Sequence, residues 1–309
     1  MQSTTLGREE IGALEKRTSE VSQPVGVFAA DLVLRFSTFL FSAGLAIALL
    51  TRKGSAIGGV ALMDWGISHD TIFLFEKIGS FALLGLATVL LIFPSILIVL
   101  LIAGIAFAEA YAGYYNGGYA FFELTLFAQA LRYLAPLALV PLVVSRSVFK
   151  AEKLCRWTAE WILRIGLAVV FFTHGFEALG KNPVFVDLIL ASARTFGISM
   201  TEASAGIALT IIAWVDFAVA GLTLFRLSRP LLGWLCFWGL ITALSRPISL
   251  GLASYPEVLL RAPHFLAPVA LWFLVIQPRA RRQKASDQTR SSAGSAIDLS
   301  SSLGSERTG

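Results

Sequence analysis

Apolar residues run in long, nearly unbroken stretches along this chain, and charged residues, Gly or Pro separate one stretch from the next. Stretches of about twenty residues are typical of helices that cross a bilayer, whereas the strands of membrane barrels alternate apolar and polar residues over about ten. The pattern therefore predicts an all-α, polytopic membrane protein with about eight transmembrane helices. They cover residues 28–50, 72–92, 94–112, 121–144, 158–179, 204–225, 230–247 and 258–276.

The boundary between the second and third segments depends on Pro94 alone, so one long kinked helix is an alternative there. A hydrophobic stretch of that length is better divided by a tight turn, because Pro removes a backbone donor and a single crossing needs only about twenty residues. We therefore predict two helices that meet at Pro94.

Composition supports the membrane assignment, since 56% of the residues are hydrophobic, 15% are charged and the mean hydropathy is +0.74. No apolar region precedes the first span, so we expect no cleaved signal peptide and expect the first span to direct insertion. The formal net charge is +5, but the basic residues are dispersed among loops and one tail, which argues against a nucleic-acid partner. Their bias along the chain predicts cytoplasmic termini, and we expect a bacterial inner membrane. Cys155 and Cys236 form no CxxC pair, which disfavours thiol–disulfide exchange.

Self-comparison of the sequence indicates an internal duplication. Residues 33–50 resemble 162–179, "SFALLGLA" from residue 80 resembles "DFAVAGLT" from 216, and "YLAPLAL" from 133 resembles "FLAPVAL" from 265. The matches keep the same order, and four spans separate equivalent positions, so the two copies are predicted to be parallel four-helix bundles. The predicted organisation is a cytoplasmic N-terminal segment (1–27), a first module (28–145), a cytoplasmic linker (146–157), a second module (158–278) and a disordered cytoplasmic tail (279–309).

The two copies differ in their polar residues. The second copy has His174, Glu177 and Asp216 where the first has Leu, Ala and Ser, which suggests that the first copy is structural and the second specialised. The first copy has its own polar residues, including Glu109 and Arg132, but the Tyr-rich segment 109–123 is interpreted as an interfacial aromatic belt and loop rather than a site.

Charged side chains inside a bilayer are costly, so they face the bundle interior, pair with one another or line a wet cavity. All four spans of the second module contribute ionisable groups to its predicted outer half, which indicates one shared polar cavity. His174 and His264 are the candidate proton-exchanging groups, because imidazole titrates near neutral pH. The candidate site consists of His174, His264, Glu177 and Asp216 as the chemical groups and Arg246, Glu257, Arg261 and Arg164 as ligand-binding groups.

Several readings of this cluster stay open. The balanced charges could form a network of ion pairs that holds the helices in register. Two histidines with carboxylates could ligate a metal, although His-x-x-Glu reverses the Glu-x-x-His order of di-iron bundles, and we predict no metal site. His174 and His264 could also be axial ligands of a haem, with no attachment motif in support.

The segment "LRIGLAVVFFTHGFEAL", with Arg164, His174 and Gly175, resembles the first helix of the DoxX/DoxD-like superfamily of small four-helix membrane proteins. The resemblance covers the second module (about 158–276) directly and the first only through the duplication. It implies a redox-associated membrane component, because the superfamily includes a subunit associated with thiosulfate:quinone oxidoreductase. It also implies membrane lipid, a quinone and redox protein subunits as partners, and the tandem arrangement suggests an internal pseudo-dimer.

Three functions follow as hypotheses. The first is a DoxX-like component, such as the membrane subunit of a quinone-linked oxidoreductase, that binds a small quinone-like ligand in the outer half of the second module. The second is a non-catalytic scaffold whose charges serve helix packing. The third, transport of a small solute, is less favoured, because no broken spans with Gly/Pro pairs are evident at corresponding places in the two halves.

Overall fold

The computed structural model describes residues 25–51, 54–147 and 152–275. The predicted disordered tail, most of the predicted N-terminal segment and part of the predicted linker lie outside the described residues. Within those ranges the secondary structure is helical, with no strand.

In the described part of the chain, seven helical segments and one bent pair of helices are long and apolar enough to cross a membrane. We number these spans 1 to 8, and they identify the chain as an integral membrane protein. The spans are Gly26–Leu50, His69–Ile92, Ile96–Asn116, Phe122–Ser145, Glu152–Leu179, Glu202–Phe225, Arg229–Leu250, and the pair Leu252–Leu260 with Ala262–Val275. The prediction of an all-α chain with about eight helices or helix pairs of membrane-spanning length and composition is thus confirmed.

Local sequence signals set several span boundaries. The side chains of Ser68, Thr201 and Ser228 each accept a hydrogen bond from a backbone N–H in the first turn of the span that follows. Phe93, before Pro94, is extended and separates spans 2 and 3, as the restriction on a residue that precedes Pro requires. The structure therefore has two helices here rather than one long kinked helix.

Two of the connections between predicted spans contain helices. Ala56–Met63 lies between spans 1 and 2, and Pro183–Thr195 lies between spans 5 and 6. Both begin at a side-chain cap, from Ser55 in the first case and from Asn182 in the second. The second of these helices forms one wall of the candidate site.

Two of the spans are interrupted, which the apolar pattern alone did not predict. Span 8 bends by 42° between Leu260 and Ala262, and span 4 is interrupted at Gln129 and again at Ala138. The residues at the first break of span 4 and at the break of span 8 have nearly the same torsion angles, with φ −98° and ψ 5° at Gln129 and φ −96° and ψ 4° at Arg261. Both residues lie five positions before a Leu-Ala-Pro sequence.

One hydrophobic core is shared by the two halves of the chain. Its fully buried side chains come from spans on both sides of the predicted module boundary. They include Leu34, Leu90, Leu131, Leu163, Leu235 and Leu271. Span 1 packs against the first piece of span 8, and span 5 packs against span 4, so each half contributes to the packing of the other.

Two arginines at matching positions of spans 1 and 5 each have an acidic residue four positions earlier. Arg35 forms a buried ion pair with Asp31 and donates from Nη1 to the carbonyl oxygen of Leu91 over 2.9 Å. Arg164 lies 3.3 Å from Glu160. These pairs lie toward the end of the bundle that holds residues 25 and 275, which we call the near end; the opposite end is the far end.

Candidate functional site

The two histidines that the sequence singled out lie side by side near the far end. The ring centroids of His174, in span 5, and His264, in the second piece of span 8, are 6.3 Å apart, and the ring planes differ by 29°. His264 is buried, whereas His174 is partly exposed. The packing of the spans thus brings together two imidazoles that are 90 residues apart in sequence.

Glu177 holds His174 in place. Its Oε2 lies 2.7 Å from Nδ1 of His174, and its Oε1 accepts a hydrogen bond of 3.2 Å from Nδ2 of Asn182. Asn182 in turn caps the helix Pro183–Thr195, because its Oδ1 accepts from the backbone N–H of Val184. A neutral His174 that donates from Nδ1 to this carboxylate presents its other ring nitrogen as an acceptor.

A cavity of about 380 Å³ lies beside the histidines, and we call it the apolar cavity. Most of its wall is hydrophobic and comes from spans 5, 6 and 7 and from the helix Pro183–Thr195. Phe185, on that helix, is 5.8 Å from His174 between ring centroids. The polar groups of the wall are His174, Ser192, Asp216, Thr242, Ser245, Arg246, Arg261 and His264.

Asp216 enters this cavity from span 6. Its side chain is buried and lies beside Trp238 of span 7, and its Oδ1 has no hydrogen-bond partner among the residues that the structure describes. A buried carboxylate oxygen without a donor is unfavourable in an apolar environment. This position is therefore a candidate contact for a ligand group that carries a hydrogen-bond donor.

A smaller cavity of about 200 Å³ adjoins the apolar one and shares His174, Arg246, Arg261 and His264 with it. We call it the arginine cavity. Its other wall comes from the first half of the chain and from the start of the helix at Asn182. The first-half residues with polar side chains are Tyr119, Thr125, Gln129 and Arg132.

A third cavity, of about 420 Å³, lies on the other side of Arg132 and is lined by Leu45, Ala48, Glu109 and Glu257, among others. Glu109 accepts hydrogen bonds from the backbone N–H groups of Ala56, at 2.7 Å, and Ile57, at 3.3 Å. The Glu109 carboxylate therefore stabilises the first turn of the helix Ala56–Met63.

Seven of the eight predicted site residues line one of these three cavities. His174, Asp216, Arg246, Arg261 and His264 line the apolar cavity, and Glu177 lines the adjoining arginine cavity. Glu257 lies instead on the third cavity, with its Oε2 3.8 Å from Nη1 of Arg261.

The structure does not bring Arg164 to this cluster. Arg164 pairs with Glu160 and lies 5.1 Å above the ring of Trp161. It precedes His174 by ten residues of continuous helix, which corresponds to about 15 Å along the helix axis.

Sequence reasoning missed the contribution of span 4. Gln129 and Arg132 were assigned to the first module, yet both line the arginine cavity. A signal was present, since Gln129 and Arg132 precede one Leu-Ala-Pro sequence by the same spacing at which Arg261 and His264 precede the other. The structure brings all four of these residues to the arginine cavity.

No group of three or more His, Cys, Asp or Glu side chains within the described ranges could hold a metal ion. Comparison of the chain with protein-family models, with curated proteins and with solved structures gave no match.

Proposed function

We propose that this protein is a DoxX-like, redox-associated component of the membrane and that it binds a small quinone-like ligand in the apolar cavity. The observation that carries the proposal is the composition of the cavity wall, which is hydrophobic over most of its area and includes imidazole, guanidinium and carboxyl groups. Its volume of about 380 Å³ lies within the usual range for small-molecule sites.

The chemistry of a quinone fits these groups. Its ring oxygens accept hydrogen bonds, and His264, Arg246 and Arg261 supply donors in the same wall. The hydrophobic part of the ligand would contact side chains such as Phe185 and Leu209. Asp216, with one carboxyl oxygen unpartnered among the described residues, would accept from a hydroxyl group of the reduced ligand.

His174 and His264 would exchange protons with such a ligand, because a neutral imidazole carries one N–H donor and one acceptor nitrogen. Glu177 supports this role, since its contact with Nδ1 of His174 at 2.7 Å fixes the orientation of the ring. In the topology that we propose, with both termini in the cytoplasm, the far end of the bundle is the outer side of the membrane.

The proposal is tested by titrating the purified full chain, in a neutral maltoside detergent, with decylubiquinone and following tryptophan fluorescence. We expect His264→Ala to weaken decylubiquinone binding by about tenfold, because the variant loses a hydrogen bond to a buried group. His174→Leu should weaken binding as well. His69→Ala is the matched control, because His69 is exposed at the start of span 2 and away from the cavity. Unchanged affinity in both site variants would exclude the proposed site.

A scaffold function is the second candidate, and a specific observation favours it. The polar cluster joins residues of both halves, since Arg132 interacts electrostatically with Glu257 and Arg246, and such a cluster could serve to lock the halves together. Asp216→Ser and His174→Leu, which introduce the residues of the first half, separate the two functions. A scaffold should lose thermal stability, whereas a binding protein should remain folded and lose its ligand.

Transport of a small solute is a third candidate, because the bend of span 8 falls at the cluster and broken spans are a feature of transporter sites. Proteoliposomes loaded with a pH-sensitive dye test it. Proton flux that is present with the wild-type chain and abolished in His264→Ala would favour transport over the other two functions.

A further inference from the structure

The arginine cavity collects more positive than negative groups. Three guanidinium groups, of Arg132, Arg246 and Arg261, and two imidazoles line it, and Glu177 is the carboxylate in its wall. Arg132 and Arg261 are each close enough to Arg246 for electrostatic interaction, and Arg261 also interacts with Arg132. All three arginines are partly buried.

Few of the N–H groups of these arginines have partners in the part of the chain that the structure describes. Arg132 donates from Nη1 to Oε1 of Gln129 over 2.9 Å, and its Nε has no partner there. The closest carboxylate to Arg261 is Glu257, at 3.8 Å, beyond hydrogen-bonding distance. Arg246 has electrostatic neighbours in Glu257 and Glu177, but its Nε also lacks an acceptor among the described residues.

Two of the nearby carboxylates accept hydrogen bonds from groups other than the arginines. Glu177 accepts from His174 and Asn182, and Glu109 accepts from two backbone N–H groups of the helix Ala56–Met63. Glu257 lines the third cavity rather than the arginine cavity. From that side Glu257 interacts electrostatically with all three arginines, but its carboxylate lies beyond hydrogen-bonding distance of Arg261.

Three like charges around one small cavity in a medium of low dielectric constant repel one another strongly. An anion among them would replace that repulsion with attraction and would supply acceptors to the guanidinium donors. Arginine is suited to this, because its planar fork matches the oxygens of carboxylate and phosphate groups.

We propose that the arginine cavity is a binding site for an oxyanion of the carboxylate or phosphate type, held by Arg132, Arg246 and Arg261. The site goes beyond the quinone proposal and does not rest on it, because Arg132 belongs to the other half of the chain and does not line the apolar cavity. Arg246 and Arg261 line both cavities. An oxyanion on an apolar tail would therefore fill both, whereas a free anion would occupy the arginine cavity alone.

Isothermal titration of the full chain in a neutral maltoside detergent, at constant ionic strength in a phosphate-free buffer, tests the site. The probes are inorganic phosphate and octyl phosphate, the second below its micelle concentration. We expect Arg132→Gln and Arg246→Gln each to weaken phosphate binding by about tenfold or more, since each removes a charge-assisted hydrogen bond. Arg194→Gln is the control, because it makes the same change of charge at an exposed position at the end of the helix Pro183–Thr195.

Each outcome decides the matter. No binding of either probe to the wild-type chain, or wild-type affinity in Arg132→Gln, would overturn the proposal. Equal losses in Arg194→Gln and Arg132→Gln would also overturn it, since they would indicate general surface attraction. Binding of both probes with similar affinity supports a free anion, and a strong preference for octyl phosphate supports the headgroup of an amphiphile.

Arg132→Lys keeps the test decisive if Arg132→Gln does not fold. It retains the positive charge and loses the planar fork, so phosphate affinity should fall while the protein stays monodisperse, and unchanged affinity would contradict the proposal. Decylubiquinone titration of the same variants separates the two sites. Arg132→Gln should bind this probe as the wild type does, whether or not the phosphate site exists.

Discussion

Gly239→Ala should destabilise the protein and displace the backbone at the candidate site. Gly239 lies in span 7 against the start of the second piece of span 8, and a Cβ at this position would be 2.8 Å from the carbonyl oxygen of His264 and 2.9 Å from its carbonyl carbon. Ordinary contacts begin at 3.4 Å, so the two helices would have to separate by about half an ångström. The atoms in the way are backbone, which has no alternative rotamer.

The magnitude follows from two opposed effects. Over-packing of this kind lowers the free energy of unfolding by about 1–3 kcal/mol. Replacing Gly by Ala inside a helix raises it by up to about 1 kcal/mol. With the middle of the first range and the full gain of the second, we expect a net loss of about 1 kcal/mol in the free energy of unfolding, or a Tm lower by about 2–4 °C. The shift of the His264 backbone should also weaken decylubiquinone binding.

Gly233→Ala is the control, because Gly233 lies in the same span and a Cβ there would meet nothing within 4 Å. Thermal unfolding of both variants in the same detergent, followed by circular dichroism, gives the comparison. The reasoning would be refuted if Gly239→Ala were as stable as Gly233→Ala, since the close approach of spans 7 and 8 would then carry no cost.

Two further predictions concern span 1. Gly44→Ala should lower the Tm, because a Cβ at Gly44 would be 2.7 Å from Leu259 Cβ and 2.7 Å from the backbone nitrogen of Leu260. Gly85→Ala is the control, since a Cβ there would meet nothing within 4 Å. Equal Tm values for the two variants would contradict the close contact at Gly44. Arg35→Met should lower the free energy of unfolding by about 3–5 kcal/mol, which is the penalty for removing one partner of a buried ion pair. Adding Asp31→Leu to this variant should recover much of the lost stability. A double variant that is no more stable than Arg35→Met, in thermal unfolding, would show that the pair is not the cause.

The sequence predicted the spans well and their interruptions poorly, for a physical reason. Apolar length reports that a segment can cross a bilayer, but a break depends on the torsion angles of one or two residues. Pro263, in the first turn of the second piece of span 8, gives a local signal for the break at Arg261. Span 4 has no proline at the matching position, Leu131, so the interruption at Gln129 had no comparable signal.

The candidate site was predictable only in the half of the chain where charge is concentrated in apolar spans. His174, Asp216 and His264 were identified because an ionisable group in an apolar span is energetically costly and usually marks a functional site. Arg132 has the same property, but its place at the site depends on span 4 packing against span 5. Alignment of the two Leu-Ala-Pro sequences places Arg132 opposite His264. Only the packing of the spans, however, shows that the two side chains line the same cavity.

The breaks and the polar cavity depend on each other. A helix break leaves backbone N–H and carbonyl groups without helical partners, and at membrane depth such backbone is tolerated only where it is buried in protein or lines a polar cavity. Gln129 and Arg261, the residues at the two breaks, both line the arginine cavity. An apolar replacement of Gln129 or Arg261 would therefore disturb the backbone of span 4 or span 8 as well as any ligand. For that reason the decisive variants of the anion site are those that remove a charge and keep a hydrogen-bonding side chain, such as Arg132→Gln, because they alter anion binding while leaving polar partners beside the breaks.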